Sequence, residues 1–185
     1  MIKESIRIVS VLAAICACIS LLVAAVYSIT EEQIAKNTEI KIEKALSEIF
    51  PVYSSKSTLE FEKPDESINS LYKINDGDTV IGYAVDITTK GYGSDGINMM
   101  IGINSECKVI SVVIVSATSE TPGLGQNITK KDYLDAFAGM QSGEKADTLA
   151  GATISSKAVQ YGVDVSLKAV KSIVNGELSV KEAEQ

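Results

Sequence analysis

From Ile8 to Ile29 the sequence IVSVLAAICACISLLVAAVYSI carries no charge. As a helix it would measure about 33 Å, against roughly 30 Å of hydrocarbon in a bilayer, which predicts a membrane-spanning helix. Residues 30–50 keep a helical rhythm: Ile42, Ala45, Leu46 and Ile49 share one face, and Thr30 with Gln33 reads as a capping box. This predicts a juxtamembrane stalk continuous with the span. Pro51 and the polar stretch YSSKSTLEFEKPDES end it, and the folded domain is expected from about residue 51 to 176.

Residues 71 to 115 then alternate in the manner of strands: LYKI, the turn NDGD, VIGYAVDIT, the loop KGYGSDG, INMMIGI, a polar turn and KVISVVIV. The Asp-Gly turn favours antiparallel hairpins. Two helical stretches follow. One opens at Thr129 with Asp132 as capping partner and runs through YLDAFAGM. The other runs from about Ser155 to Val174, with Val159, Val163, Leu167, Val170 and Val174 as its buried stripe and Asn175-Gly176 as its stop. The expected fold is α+β, an antiparallel sheet packed with helices, with a polar tail over 177–185.

Charge supplies an orientation. Lys3 and Arg7 precede the apolar run and Glu31 and Glu32 follow it, so the positive-inside bias puts residues 1–7 in the cytoplasm and the soluble domain outside, with Tyr27 at the outer interface. A cleaved secretory signal has an apolar region of about 7–15 residues, and cleavage before Cys18 would leave much of this longer run unexplained. The net charge of -7 argues against a nucleic-acid partner. With no histidine, a histidine-based triad or a His-ligated zinc site is excluded, and no metal site is expected. Of the three cysteines, Cys16 and Cys18 lie in the apolar run, so Cys107 has no disulfide partner in the soluble part.

Three segments could carry chemistry. Asp147-Thr-Leu-Ala-Gly-Ala-Thr153-Ile-Ser-Ser156 brings small residues and hydroxyls to the start of the last helix. Unpaired N–H groups and the positive dipole end there favour a phosphate, and Gly151 and Ala152 let the backbone approach it; equally, Thr153, Ser155 and Ser156 could simply cap the helix. Ser119-Glu-Thr-Pro-Gly-Leu-Gly-Gln126 is a loop at a strand end, whose Pro-Gly fixes a tight turn and whose next glycine would let the main chain approach a flat ligand. Gly91-Tyr92-Gly93-Ser-Asp-Gly96 offers flexible backbone and one aromatic. Each of these loops could also be purely structural.

In this order the segments resemble the FMN-binding domain shared by the G subunit of Rnf-type electron transport complexes and the C subunit of sodium-translocating NADH:quinone oxidoreductases. The motifs are Glu120-Thr-Pro-Gly-Leu-Gly125, Asp147-x-x-x-Gly-Ala-Thr153-x-Ser155 and, more loosely, Gly91-Tyr92-Gly93. The likeness spans residues 1 to about 176, and the chain length favours the Rnf subunit. Ala150 stands where the family usually has Ser or Thr, and no histidine precedes the Glu-Thr-Pro turn.

The resemblance implies that Thr153 bears FMN through a phosphoester, installed by a separate flavin transferase using FAD. It implies that Glu120, Thr121, Leu124 and Gly125 line the flavin, with Tyr92, Gly151, Ala152, Ser155 and Ser156 completing the site. Asp147, together with Gly151, Ala152 and Thr153, would belong to the signal read by the transferase. No residue would be catalytic in its own right. The implied role is an electron-carrying subunit of an ion-translocating ferredoxin:NAD oxidoreductase in a bacterial or archaeal membrane, with the complex's other redox and membrane subunits as partners. The alternatives are the quinone-reductase subunit and a membrane-anchored scaffold without a redox cofactor.

Overall fold

The computed structural model describes residues 2–182, and the side chains of all of these except 2–5, 8, 10, 29 and 31–35. The chain divides into two compact units, Met1–Lys41 and Ile42–Gln185. Residues 2–41 of the first unit lie within helix α1 (Ile2–Ile49), whose window Val11–Ser28 is long and apolar enough to cross a membrane and has none of its residues buried. Thr30 does not start a helix. The helix runs through it, and its hydroxyl donates back to the Val26 carbonyl at 2.7 Å, as serines and threonines inside helices do. The Gln33 side chain lies outside the described residues, as do those of Lys3, Glu4, Glu31 and Glu32.

The second unit is built on one antiparallel sheet. Its strands are β1 (Ser55–Phe61), β2 (Ile68–Asp76), β3 (Thr79–Thr89), β4 (Ile97–Asn104), β5 (Val109–Ser116) and β6 (Val180–Glu182), in spatial order β5-β4-β3-β2-β1-β6. The four strands expected from alternation are β2 to β5. β1 falls in the polar stretch after Pro51 and β6 in the expected tail, of which 183–185 lie outside the described residues. Only Leu59 of the seven β1 residues is buried, which leaves too little apolar alternation for the strand to show in the sequence.

The two sheet faces bury different partners. Val85, Ile87, Met99 and Ile101 meet helix α3 (Thr153–Val174) through Val159, Val163, Leu167 and Val170, all buried. Val174 is 45% exposed and falls off this stripe. On the other face Tyr72, Ile74, Ala84 and Met100 are covered by Ala45, Leu46, Ile49 and Phe50. Each fully buried large aliphatic side chain of this kind contributes about 1.5–3 kcal/mol. The end of the expected stalk is therefore core, and the compact unit begins at Ile42 rather than at Pro51.

α3 ends where Gly176 takes φ +73° and the N–H groups of Gly176 and Glu177 donate to the carbonyls of Ile173 and Ser172 at 3.0 and 2.8 Å, closing the last turn. The short helix α2 (Lys131–Asp135) opens later than expected. Thr129 ends a 3₁₀ turn over Gly125–Thr129 and its hydroxyl donates to the Gln126 carbonyl at 2.9 Å, so it caps no helix.

Candidate functional site

Thr153 is the first residue of α3, following Ala152, whose side chain makes no cap. The first bond of the helix ladder runs from the Ser156 N–H to the Ala152 carbonyl at 2.8 Å, which leaves the N–H groups of Thr153, Ile154 and Ser155 ahead of it. The clustered hydroxyls do not fill that gap. Ser156 Oγ accepts from the Leu149 N–H at 3.0 Å, and Ser155 Oγ donates to Glu120 Oε2 at 2.5 Å. Thr153 itself is exposed. A helix start with spare donors beside an exposed alcohol is a setting that stabilises an anion such as a phosphate.

Glu120 joins the three segments. It is 1% exposed, and besides Ser155 it accepts the Gly93 N–H at Oε1, 2.9 Å away. The glycines around it serve close approach more than flexibility. A Cβ on Gly91 would collide with Glu120 Oε1 and come within 2.8 Å of Ile97 Cδ1, and one on Gly125 would lie 2.8 Å from Glu120 Oε2. In the turn Thr121-Pro122-Gly123-Leu124, the Leu124 N–H donates to the Thr121 carbonyl at 3.2 Å and Gly123 takes φ +75°, the positive φ that a turn with proline in second place asks of its third residue.

Between these loops and the helix start lies an open cleft of about 460 Å³, lined by Tyr92, Thr121, Leu124, Gly125, Gly151, Ala152, Thr153 and Ile154. Tyr92, Leu124 and Ile154 are 70%, 49% and 54% exposed, an apolar collar around the threonine. Ile154 lies inside the Asp147–Ser156 segment but is not among the expected site residues, because it is an apolar residue between the hydroxyls and falls off the buried stripe of α3. Of the expected site residues, Tyr92, Thr121, Leu124, Gly125, Gly151, Ala152 and Thr153 line this cleft. Glu120, Ser155 and Ser156 are buried beneath or beside it, acting through hydrogen bonds.

Asp147 is exposed and lines a different cleft of about 420 Å³, with Asn127, Lys130, Asp132, Tyr133, Ala136, Thr148 and Leu149. Tyr133 ties this side to α3: its hydroxyl donates to the Ser156 carbonyl at 3.2 Å, and burial pushes the phenol above its ordinary value.

The cleft and the apolar helix fall within two matched regions. Residues 91–168 match the FMN-binding domain and residues 1–49 match the RnfG N-terminal region. The G subunit of the proton-translocating ferredoxin:NAD(+) oxidoreductase complex of Clostridium ljungdahlii is 31% identical over 85% of this chain and 86% of its own length. The G subunit of the ion-translocating oxidoreductase complex of Methanosarcina acetivorans is 29% identical over 85% and 89%. The G subunit of the Na(+)-translocating ferredoxin:NAD(+) oxidoreductase complex of Acetobacterium woodii is 27% identical over 63% and 62%. With a six-stranded α+β unit, an apolar N-terminal helix and a cleft built from the matched segments, the chain belongs to the family of G subunits of Rnf-type ion-translocating oxidoreductase complexes.

Proposed function

We propose that this chain carries electrons within a membrane-bound ion-translocating ferredoxin:NAD oxidoreductase, through FMN held covalently on Thr153. The observation that carries this reading is the exposed Thr153 alcohol at the start of α3, beside three uncommitted N–H groups and an apolar cleft. FMN fits the residues present. The cleft volume lies in the usual range of about 300–1,000 Å³ for small-molecule sites, its walls are apolar where a flat ring system would lie, and the helix start suits a phosphate.

Thr153 would hold the phosphate end by its side-chain oxygen. Tyr92, Leu124 and Ile154 would flank the ring and keep water from it, and Gly125 and Gly151 would let the backbone come close. FMN, when bound, supplies the one- and two-electron chemistry that no side chain of this protein offers. Attachment balances as transfer of the FMN half of FAD to the threonine oxygen, with AMP leaving and the hydroxyl proton taken up by the transferase. Asp147 would be read by that enzyme from its own cleft. A covalent tether also makes sense outside the cell membrane, where a dissociable cofactor would be diluted away.

The domain would stand on the outer face, among the other redox and membrane subunits of the complex, and the isolated chain would turn over no substrate. Co-expressed with a flavin transferase, the purified protein should keep fluorescent flavin through denaturing electrophoresis, and Thr153→Ala should lose it. Fluorescence surviving that substitution would contradict the assignment.

A further inference from the structure

Glu120 is a buried acid whose two hydrogen bonds both come from neutral donors, the Gly93 N–H and the Ser155 hydroxyl. Among the described residues no ion pair reaches it. Its position is close to the proposed cofactor. Thr121 and Gly125, which follow it in the same loop, line the cleft, and its Oε2 lies where it would meet a Cβ on Gly125 at 2.8 Å.

A glutamine of the same shape could serve both bonds, its amide oxygen accepting from Gly93 and its amide nitrogen donating to Ser155 Oγ. Burying a carboxylate instead adds a desolvation cost that the hydrogen bonds themselves do not require. In a poorly solvated site a fixed charge acts over several ångströms on any group whose own charge changes.

Resting on the functional reading above, we propose that Glu120 is a positioning residue that also acts electrostatically: its buried carboxylate, one glycine beneath the cleft, disfavours added negative charge on the cofactor and so lowers its reduction potential. Each electron the cofactor accepts adds one negative charge unless a proton follows it. The charge it meets is fixed by the fold and needs no rearrangement.

The test uses the full-length, flavin-loaded chain and follows the flavin midpoint potential by spectroelectrochemical titration, alongside flavin content per chain. In the flavin-loaded fraction of Glu120→Gln the midpoint potential should shift upward. Ser155→Ala keeps the acid and cuts one of its bonds, and, measured at alkaline pH so that the lost bond does not cost the site its charge, its potential should stay in place or fall. An unchanged potential in loaded Glu120→Gln overturns the proposal. If Glu120→Gln does not fold, Ser155→Ala still decides, because an upward shift there would assign the control of potential to a loosened site. A wild-type chain carrying no flavin overturns the functional reading itself, and this inference with it.

Discussion

At the scale of single residues, the site depends on which side chains are missing. Gly91→Ala would drive a methyl into Glu120 and Ile97, neither of which can retreat without disturbing the loop junction, so it should cost about 1–3 kcal/mol and reduce flavin content. Gly143 is surrounded by open space but takes φ +91°, so Gly143→Ala should cost about 1 kcal/mol from backbone strain alone. Gly162 on α3 faces the end of Met99, with a Cβ placed 3.1 Å from its sulfur. Thr89 Cγ2 lies 3.2 Å from the same Cβ and is stiffer than Met99, so this crowding offsets the up to about 1 kcal/mol that an alanine recovers in mid-helix, and Gly162→Ala should cost less than Gly91→Ala. Denaturant unfolding of the three variants checks the order; Gly91→Ala as benign as Gly162→Ala would contradict the tight junction around Glu120.

Among secondary-structure elements, the last turns of α1 are fastened to the sheet by more than apolar contact. Glu43 accepts a hydrogen bond from Tyr53 at 3.0 Å and is bridged by Lys56 of β1, whose ammonium also lies 5.7 Å from the centre of the Tyr72 ring. The Lys56 hydrogen bond, opposed by partial burial, holds the Glu43 carboxyl below its ordinary value. The folded state therefore binds that proton less readily than the unfolded chain. The stability Glu43 contributes is full above the ordinary carboxylate range and is lost as pH falls through the lowered folded value. For Lys56, desolvation is outweighed by Glu43 and its value is raised, so its share persists through neutral pH and fades only above the ordinary lysine range. Melting temperature should fall on acidification, and Lys56→Met should make that fall shallower. An identical acid profile in the variant would show that the tie contributes nothing.

The same elements mark what can be read from the sequence. Strands β2 to β5 and α3 are legible because their apolar spacing repeats at 2.0 or 3.6 residues. β1 and β6 are not, since their pairing rests on main-chain bonds between largely exposed residues. The expected helix starts at Thr30 and Thr129 fail because a hydroxyl that bonds back to a carbonyl looks, in sequence, like one that caps. At the site the motifs name the loops, and Thr153 lines the cleft between them. That Glu120 is buried as a junction, and that Ile154 joins the collar, depends on how distant segments pack.

For the whole molecule, the charges flanking the apolar window Val11–Ser28, Lys3 and Arg7 before it and Glu31 and Glu32 after it, lead us to expect the proposed redox site outside the cytoplasm. Protease added to spheroplasts should release the unit beginning at Ile42, while inverted vesicles should protect it; the reverse pattern would reverse the orientation. The central claim is the chemical state of one threonine. Intact mass and peptide mapping of the protein from its native host should show one FMN, less one water, on the peptide containing Thr153. An unmodified Thr153 peptide, with flavin absent or attached elsewhere, would contradict the account.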